Sequence, residues 1–158
     1  MYRKKLLSAI DEDEIVAFLQ ELIRARSDYP PGDTREVAEV CARKLREYEI
    51  EVQVVCPPQD VHSFHQDGVD NSTMPSVIGT LGSGDGPCLL MNAHIDTVQA
   101  GERCAWRHDP FAAVVEDGMV YGRGDPGLAH ALNEHVPIAQ LVEATRVLAL
   151  TACKLLGT

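Results

Sequence analysis

Several features are scarce in this chain of 158 residues, and each scarcity closes off a class of protein. No apolar run approaches the roughly 20 residues that cross a bilayer as a helix. The apolar C-terminal stretch is interrupted by Gln140, Glu143, Arg146 and Lys154, which marks it as a soluble helix. Cations are outnumbered, with 14 Lys and Arg against 24 Asp and Glu, for a net charge of −10. Nucleic-acid and anionic-membrane surfaces need clustered Lys and Arg, so neither is expected as a partner. CxxC spacing is absent among Cys41, Cys56, Cys88, Cys104 and Cys153. With an odd number of cysteines and no secretory pattern at the N-terminus, the reading is free thiols in a reducing cytoplasm, packed as small core residues. No two glutamates adjoin anywhere, and there is no internal repeat or low-complexity tract.

What is present is ordinary globular material, 45% hydrophobic and 24% charged. A chain of this length is one domain by prior and buries roughly 70% of its unfolded surface. Asp11 and Asp13 open a helical pattern with Ile15, Phe18, Leu19, Leu22 and Ile23 at spacings of three and four, ending near Ser27. Tyr29-Pro30-Pro31-Gly32 punctuates a loop. Asp33 or Thr34 caps a second helix whose apolar face is Val37, Val40, Cys41 and Leu45. Glu51 to Val55 reads as a strand, and the polar stretch from Gln59 to Met74 as a loop. Ser76 to Leu81 and Cys88 to Ala93 are apolar strand candidates joined as a hairpin by Gly82-Ser83-Gly84-Asp85-Gly86. Ala113 to Val115 and Met119 to Tyr121 flank Asp117-Gly118, a strong turn signal. A last helix starts near Pro137, and its stripe of Ile138, Leu141, Val142, Leu148 and Ala149 is expected against the strands around Val77 and Leu90. This order of elements predicts an α/β layered domain.

The chemistry concentrates between Pro87 and Gly124. His94-Ile95-Asp96 ends the apolar run, a lone Trp106 follows, then Asp109-Pro110-Phe111, Asp117-Gly118 and Tyr121-Gly122-Arg123-Gly124. A histidine and a carboxylate two residues apart at the end of a buried strand suit metal hydrolysis, the imidazole ligating a cation and the carboxylate orienting it. Trp106 and Phe111 read as loop anchors, His62 and His65 as solvated side chains, His108 as a group near the surface, and Arg123 as a structural hydrogen-bond donor. His130 and His135 lack the HExxH order of a zincin pair.

In order and spacing these motifs, together with Ser27 before the Pro-Gly loop, resemble the N-terminal part of the zinc-dependent amidohydrolases that include acetylornithine deacetylase, succinyl-diaminopimelate desuccinylase, aminoacylase and glutamate carboxypeptidase. The resemblance implies a zinc-peptidase-like α/β fold, a mixed sheet flanked by helices. It also implies two zinc ions and a cytoplasmic hydrolase acting on amide bonds of N-acyl amino acids or small peptides. After Gly124 the pattern departs. The position of the family's metal-bridging aspartate is Gly127, and Asp125-Pro126-Gly127-Leu128-Ala129-His130-Ala131-Leu132-Asn133-Glu134 resembles the family's extreme C-terminus instead.

The sequence is therefore read as an internally deleted member, with 1–124 the N-terminal part of the catalytic domain and 125–158 its tail and final helix. The lid or dimerisation domain is missing. Carried over by position, His94 ligates one metal and His130 the other, with Asp96 orienting His94 and Glu134 positioning the loop before the last helix. The His94 and His130 imidazoles are expected to face one cleft. Each metal keeps one protein ligand where a stable zinc site wants three or four, and no glutamate pair supplies the base. Weak metal binding and failed activity are the expectation, with a non-catalytic remnant or interaction module as the alternative. A homodimer, or pairing with a full-length relative, is compatible with either.

Overall fold

The computed structural model describes residues 2–58, 70–82, 86–122 and 132–157. The chain divides into two units, Arg24–Ser83 with His94–Gly101, and Met1–Ile23 with Gly84–Ala93 and Glu102–Thr158.

The first unit is built on helix α3 (Arg35–Glu47) and the strands β2 (Glu51–Val55) and β3 (Ser76–Thr80). The two strands pair antiparallel with Val52 opposite Gly79 and Val54 opposite Val77, which puts these four residues on one face. Helix α3 covers that face, burying Val37, Ala38 and Ala42. Gly79 permits the close approach, since a Cβ there would lie 3.0 Å from Leu45 Cδ1 and 3.2 Å from Ile50 Cγ2. The other face carries Val55 and Ile78, both nearly half exposed, and Val54, beyond the reach of the helix on the first face, is equally open. Thr34 precedes α3 without a side-chain cap. Asp33 accepts from the Arg35 backbone N–H and side chain instead. A 3-10 turn at Asn71–Thr73 ends the stretch read as loop, and its Thr73 carbonyl accepts from Thr34 N–H at 2.9 Å.

Two short parallel strands complete the unit, β1 (Asp28–Tyr29) and β4 (Thr97–Val98). Ser27 is buried beside them. Its carbonyl accepts from Thr97 N–H at 3.0 Å, and the two hydroxyls lie 3.2 Å apart.

In the second unit, α1 (Tyr2–Ser8) and α2 (Glu12–Arg24) precede a three-stranded antiparallel sheet of β5 (Val115–Glu116), β6 (Met119–Tyr121) and β7 (His135–Pro137), followed by α4 (Ile138–Leu156). The β5–β6 turn works because Asp117 and Gly118 both adopt positive φ, 51° and 75°, the geometry of a two-residue hairpin turn. Val120 and Ala113 are fully buried. Gln20 of α2 donates to the Ala113 carbonyl at 2.7 Å, and the side chain of Ile23 packs against Gly122. Val120 pairs with Val136, and Gly122 N–H donates to the Glu134 carbonyl at 3.0 Å, so the tail continues the hairpin as its third strand. Gly157 closes α4 in the left-handed conformation.

Three expectations are corrected. Cys88 to Ala93 forms no strand, and Leu90 and Met91 stand 85% and 57% exposed. An apolar run becomes a buried strand only where neighbouring strands take its N–H and C=O groups and helices cover its faces. Here β3 pairs with β2 instead, leaving the run without a ladder. Consequently no single mixed layer is seen among the described residues. The described residues form three small sheets, and the α/β character resides in these and the helices. Helix α4 rests on β7 and α1 rather than on a layer containing Leu90; only Val142 of its stripe is buried, and Leu148 is 56% exposed. Finally, Cys56, Cys88 and Cys104 are exposed, so only Cys41 and Cys153 have any core character. Partial burial raises the Cys41 thiol above its ordinary value.

Candidate functional site

His94 lies in the irregular stretch that enters β4, two residues before Asp96 and three before Thr97. Its Nδ1 is 2.9 Å from the Asp96 carbonyl oxygen and 3.4 Å from the Asp96 carboxylate. A carbonyl only accepts, so this contact places the proton on Nδ1 and leaves the Nε2 lone pair open. That is the tautomer a metal-ligating imidazole needs, and the backbone of Asp96, closer than its side chain, selects it. Both side chains are open to solvent, 85% exposed for His94 and 53% for Asp96.

His130, Arg123, Asp125, His62 and His65 fall outside the described residues, so the expected convergence of His94 and His130 is not part of this geometry. Among the described residues no group of three or more His, Cys, Asp or Glu side chains is placed to hold a metal ion. His94 and Asp96 supply at most one nitrogen and one carboxylate. Tetrahedral zinc needs three protein ligands even where a water completes the shell. The described residues do not fit a resident zinc centre, and no hydrolytic step follows from them.

A second polar cluster lies on the β5–β6–β7 sheet. Glu116 accepts from Arg107 Nη2 at 2.6 Å and pairs with His108 Nε2 at 3.1 Å. The His108 ring meets Tyr121 edge-on at 4.8 Å between centroids, and Tyr121 meets His135 at 5.2 Å. His135 Nδ1 contacts the Asn133 carbonyl at 2.8 Å. Arg107 also lies over the Tyr121 ring, 5.7 Å from its centroid. These contacts bind the tail strand to the hairpin and to the loop after Trp106. They were invisible in the sequence because Tyr121 and His135 become neighbours only once β7 pairs with β6. His108 is held near the surface by a carboxylate and an aromatic ring.

The loop around Trp106 also carries an ion pair. Arg103 donates to both Asp109 oxygens, at 2.9 and 2.7 Å, and lies over the Phe111 ring at 5.1 Å. The Asp109 carboxylate accepts from Phe111 N–H at 2.9 Å, so Asp109-Pro110-Phe111 is a self-capped turn around the buried Pro110.

Residues 90–125 match the sequence model of Peptidase family M20/M25/M40, a family of metallo-hydrolases. Among curated proteins, the chain is 39% identical over 114 residues to succinyl-diaminopimelate desuccinylase of Methylobacterium radiotolerans, covering 71% of this chain and 25% of that protein. It is 34% identical over 125 residues to the enzyme of the same name from Acidiphilium cryptum, covering 79% and 29%. A shorter stretch of 40 residues is 62% identical to that of Methylobacterium sp. strain 4-46, covering 25% and 10%. The matched segment carries His94, Asp96 and the Gly122-Arg123-Gly124 sequence. The chain spans between a quarter and a third of the length of the Methylobacterium radiotolerans and Acidiphilium cryptum proteins. No helix among the described residues is long and apolar enough to cross a membrane.

Proposed function

We propose that this chain descends from a metal-dependent hydrolase of amide bonds in N-acyl amino acids or small peptides and retains its framework without an efficient catalytic centre. The observation that carries this reading is the junction after Gly124. The family match ends at Asp125, and the chain passes directly into a segment resembling the family's tail. Residues 1–124 are then the N-terminal part of the catalytic domain and 125–158 its tail, with the bridging aspartate, the glutamate pair and the lid segment lost between them. The direct pairing of β6 with β7 supports such a join, because the tail finds a strand partner immediately before it.

In this reading His94 and His130 are remnants of two zinc ligand sets, and Asp96 sets the His94 tautomer. Zinc binds weakly at each, and no base stands near a bound water to accept its proton. The substrate class, an N-acyl amino acid or small peptide, and a cytoplasmic location carry over from the family as proposals.

Assay of the purified chain with N-succinyl and N-acetyl amino acids and dipeptides, with added zinc, tests the reading. No chelator-sensitive turnover is expected. Robust turnover that disappears in His94→Ala and on chelation would show that a rearranged loop or a second chain completes the centre.

A further inference from the structure

Helix α4 is apolar on more than the side it buries. Val142 is the residue it sequesters most, while Ala144, Val147, Leu148, Thr151 and Leu155 are exposed, at 53%, 56% and 58% for Val147, Leu148 and Leu155. Their spacing of 3, 4, 7 and 11 from Ala144 is that of one helical face, so the exposed residues form a continuous stripe about three turns long. A stripe of this kind on a soluble domain marks an interaction surface.

The charges beside the stripe select the occupant. Glu143 and Lys154 are eleven residues apart, which at 100° per residue brings them within about 20° of each other on the same flank. When two copies of a helix pack antiparallel, residues of the same flank meet across the seam. An antiparallel pair centred between Leu148 and Ala149 sets Glu143 of each copy opposite Lys154 of the other. The patch is therefore self-complementary, as a two-fold interface requires: leucine and valine at the centre and two symmetric ion pairs at the ends. A parallel two-fold pair would instead set this flank against the opposite flank of the partner helix, which carries Thr145 and Ala152 and offers no countercharge.

We propose that the exposed face of α4 is a docking surface for a second copy of this chain, forming an antiparallel helix pair sealed by reciprocal Glu143–Lys154 ion pairs. The inference is independent of the hydrolase lineage. One helix pair is small beside the roughly 1,600 Å² of a standard interface, so the dimer is concentration-dependent and gains specificity from its charges.

Sedimentation equilibrium of the whole chain tests this. The expected result is a monomer–dimer equilibrium that Leu148→Glu abolishes while the circular-dichroism spectrum stays that of wild type. Glu143→Lys alone, a solvent-exposed change that leaves the fold intact, weakens the dimer at least tenfold at low salt, and Glu143→Lys with Lys154→Glu restores it. A strict monomer at every concentration overturns the proposal, whether this face is bare or covered by another part of the same chain. A dimer insensitive to Leu148→Glu, or one that the double charge reversal does not restore, also overturns it.

Discussion

Two stretches of this chain carry family motifs and meet different structural fates. The hairpin of β5 and β6, with its Asp117-Gly118 turn and Tyr121-Gly122, acquires β7 as a third strand and buries Val120. The run through Leu90 and Met91 to His94 acquires no strand partner and stands open to solvent. Both are apolar, and both looked like sheet. The difference is the supply of neighbours: a strand is stable when adjoining segments satisfy its backbone, and motif identity does not provide them. If the internal segment was lost as proposed, the hairpin kept a partner in the tail while the His94 run did not.

Substitution at the two stretches should separate them most sharply. Val120→Asp places an unpaired carboxylate in a site 1% exposed, and should cost about 4 kcal/mol or more and unfold the second unit. Leu90→Asp, at 85% exposure, should change stability by no more than about 0.5 kcal/mol. Urea melts of both variants decide the matter. A large loss at Leu90 would mean that the run is a buried strand after all.

A smaller effect is expected at Gly79, where helix α3 approaches β3. Gly79→Val must displace Leu45 and Ile50, and overpacking of this kind costs about 1–3 kcal/mol. Thermal melts should show the loss. By contrast Gly86→Val, with open space around the position, should leave the melting temperature nearly unchanged.

The smallest effect is electrostatic. The side-chain and backbone hydrogen bonds from Arg35 hold the Asp33 carboxyl at about 2, below its ordinary 3.8. A lowered carboxylate value contributes stability that is present above pH 3.8 and is lost as the pH falls through about 2. Asp33→Asn should therefore be slightly less stable than the parent at neutral pH, with the difference vanishing at the acid end. The pair is exposed and screened by solvent, so the gap should be small and should shrink with salt. Acid titrations followed by circular dichroism check it.

The three longer helices were legible in the sequence because an apolar stripe at spacings of three and four is a local property. The β5–β6 hairpin was legible because Asp-Gly imposes its own turn. Helix α1 was missed because Tyr2–Ser8 offers only Leu6 and Leu7 as apolar signal. Strand β7 was hidden because its partner lies across the junction, and the β1–β4 pair because two residues each leave no pattern. Cys88 to Ala93 was misread because an apolar run has the same composition whether or not a ladder awaits it. In the candidate site, the spacing of His94 and Asp96 foretold their proximity, yet nothing local encoded their exposure. The motif role of Ser27 was visible only as position; the structure adds that it ties the first loop to Thr97.

We propose that a family segment has outlived the metal centre it once served. Equilibrium dialysis of the whole chain against zinc at neutral pH tests this most directly. No saturable site tighter than on the order of 10 μM is expected, since one histidine per ion falls short of the three ligands a zinc site needs. His94→Ala should likewise leave the melting temperature unchanged. Two zinc ions retained per chain through dialysis, lost together in His94→Ala, would contradict it.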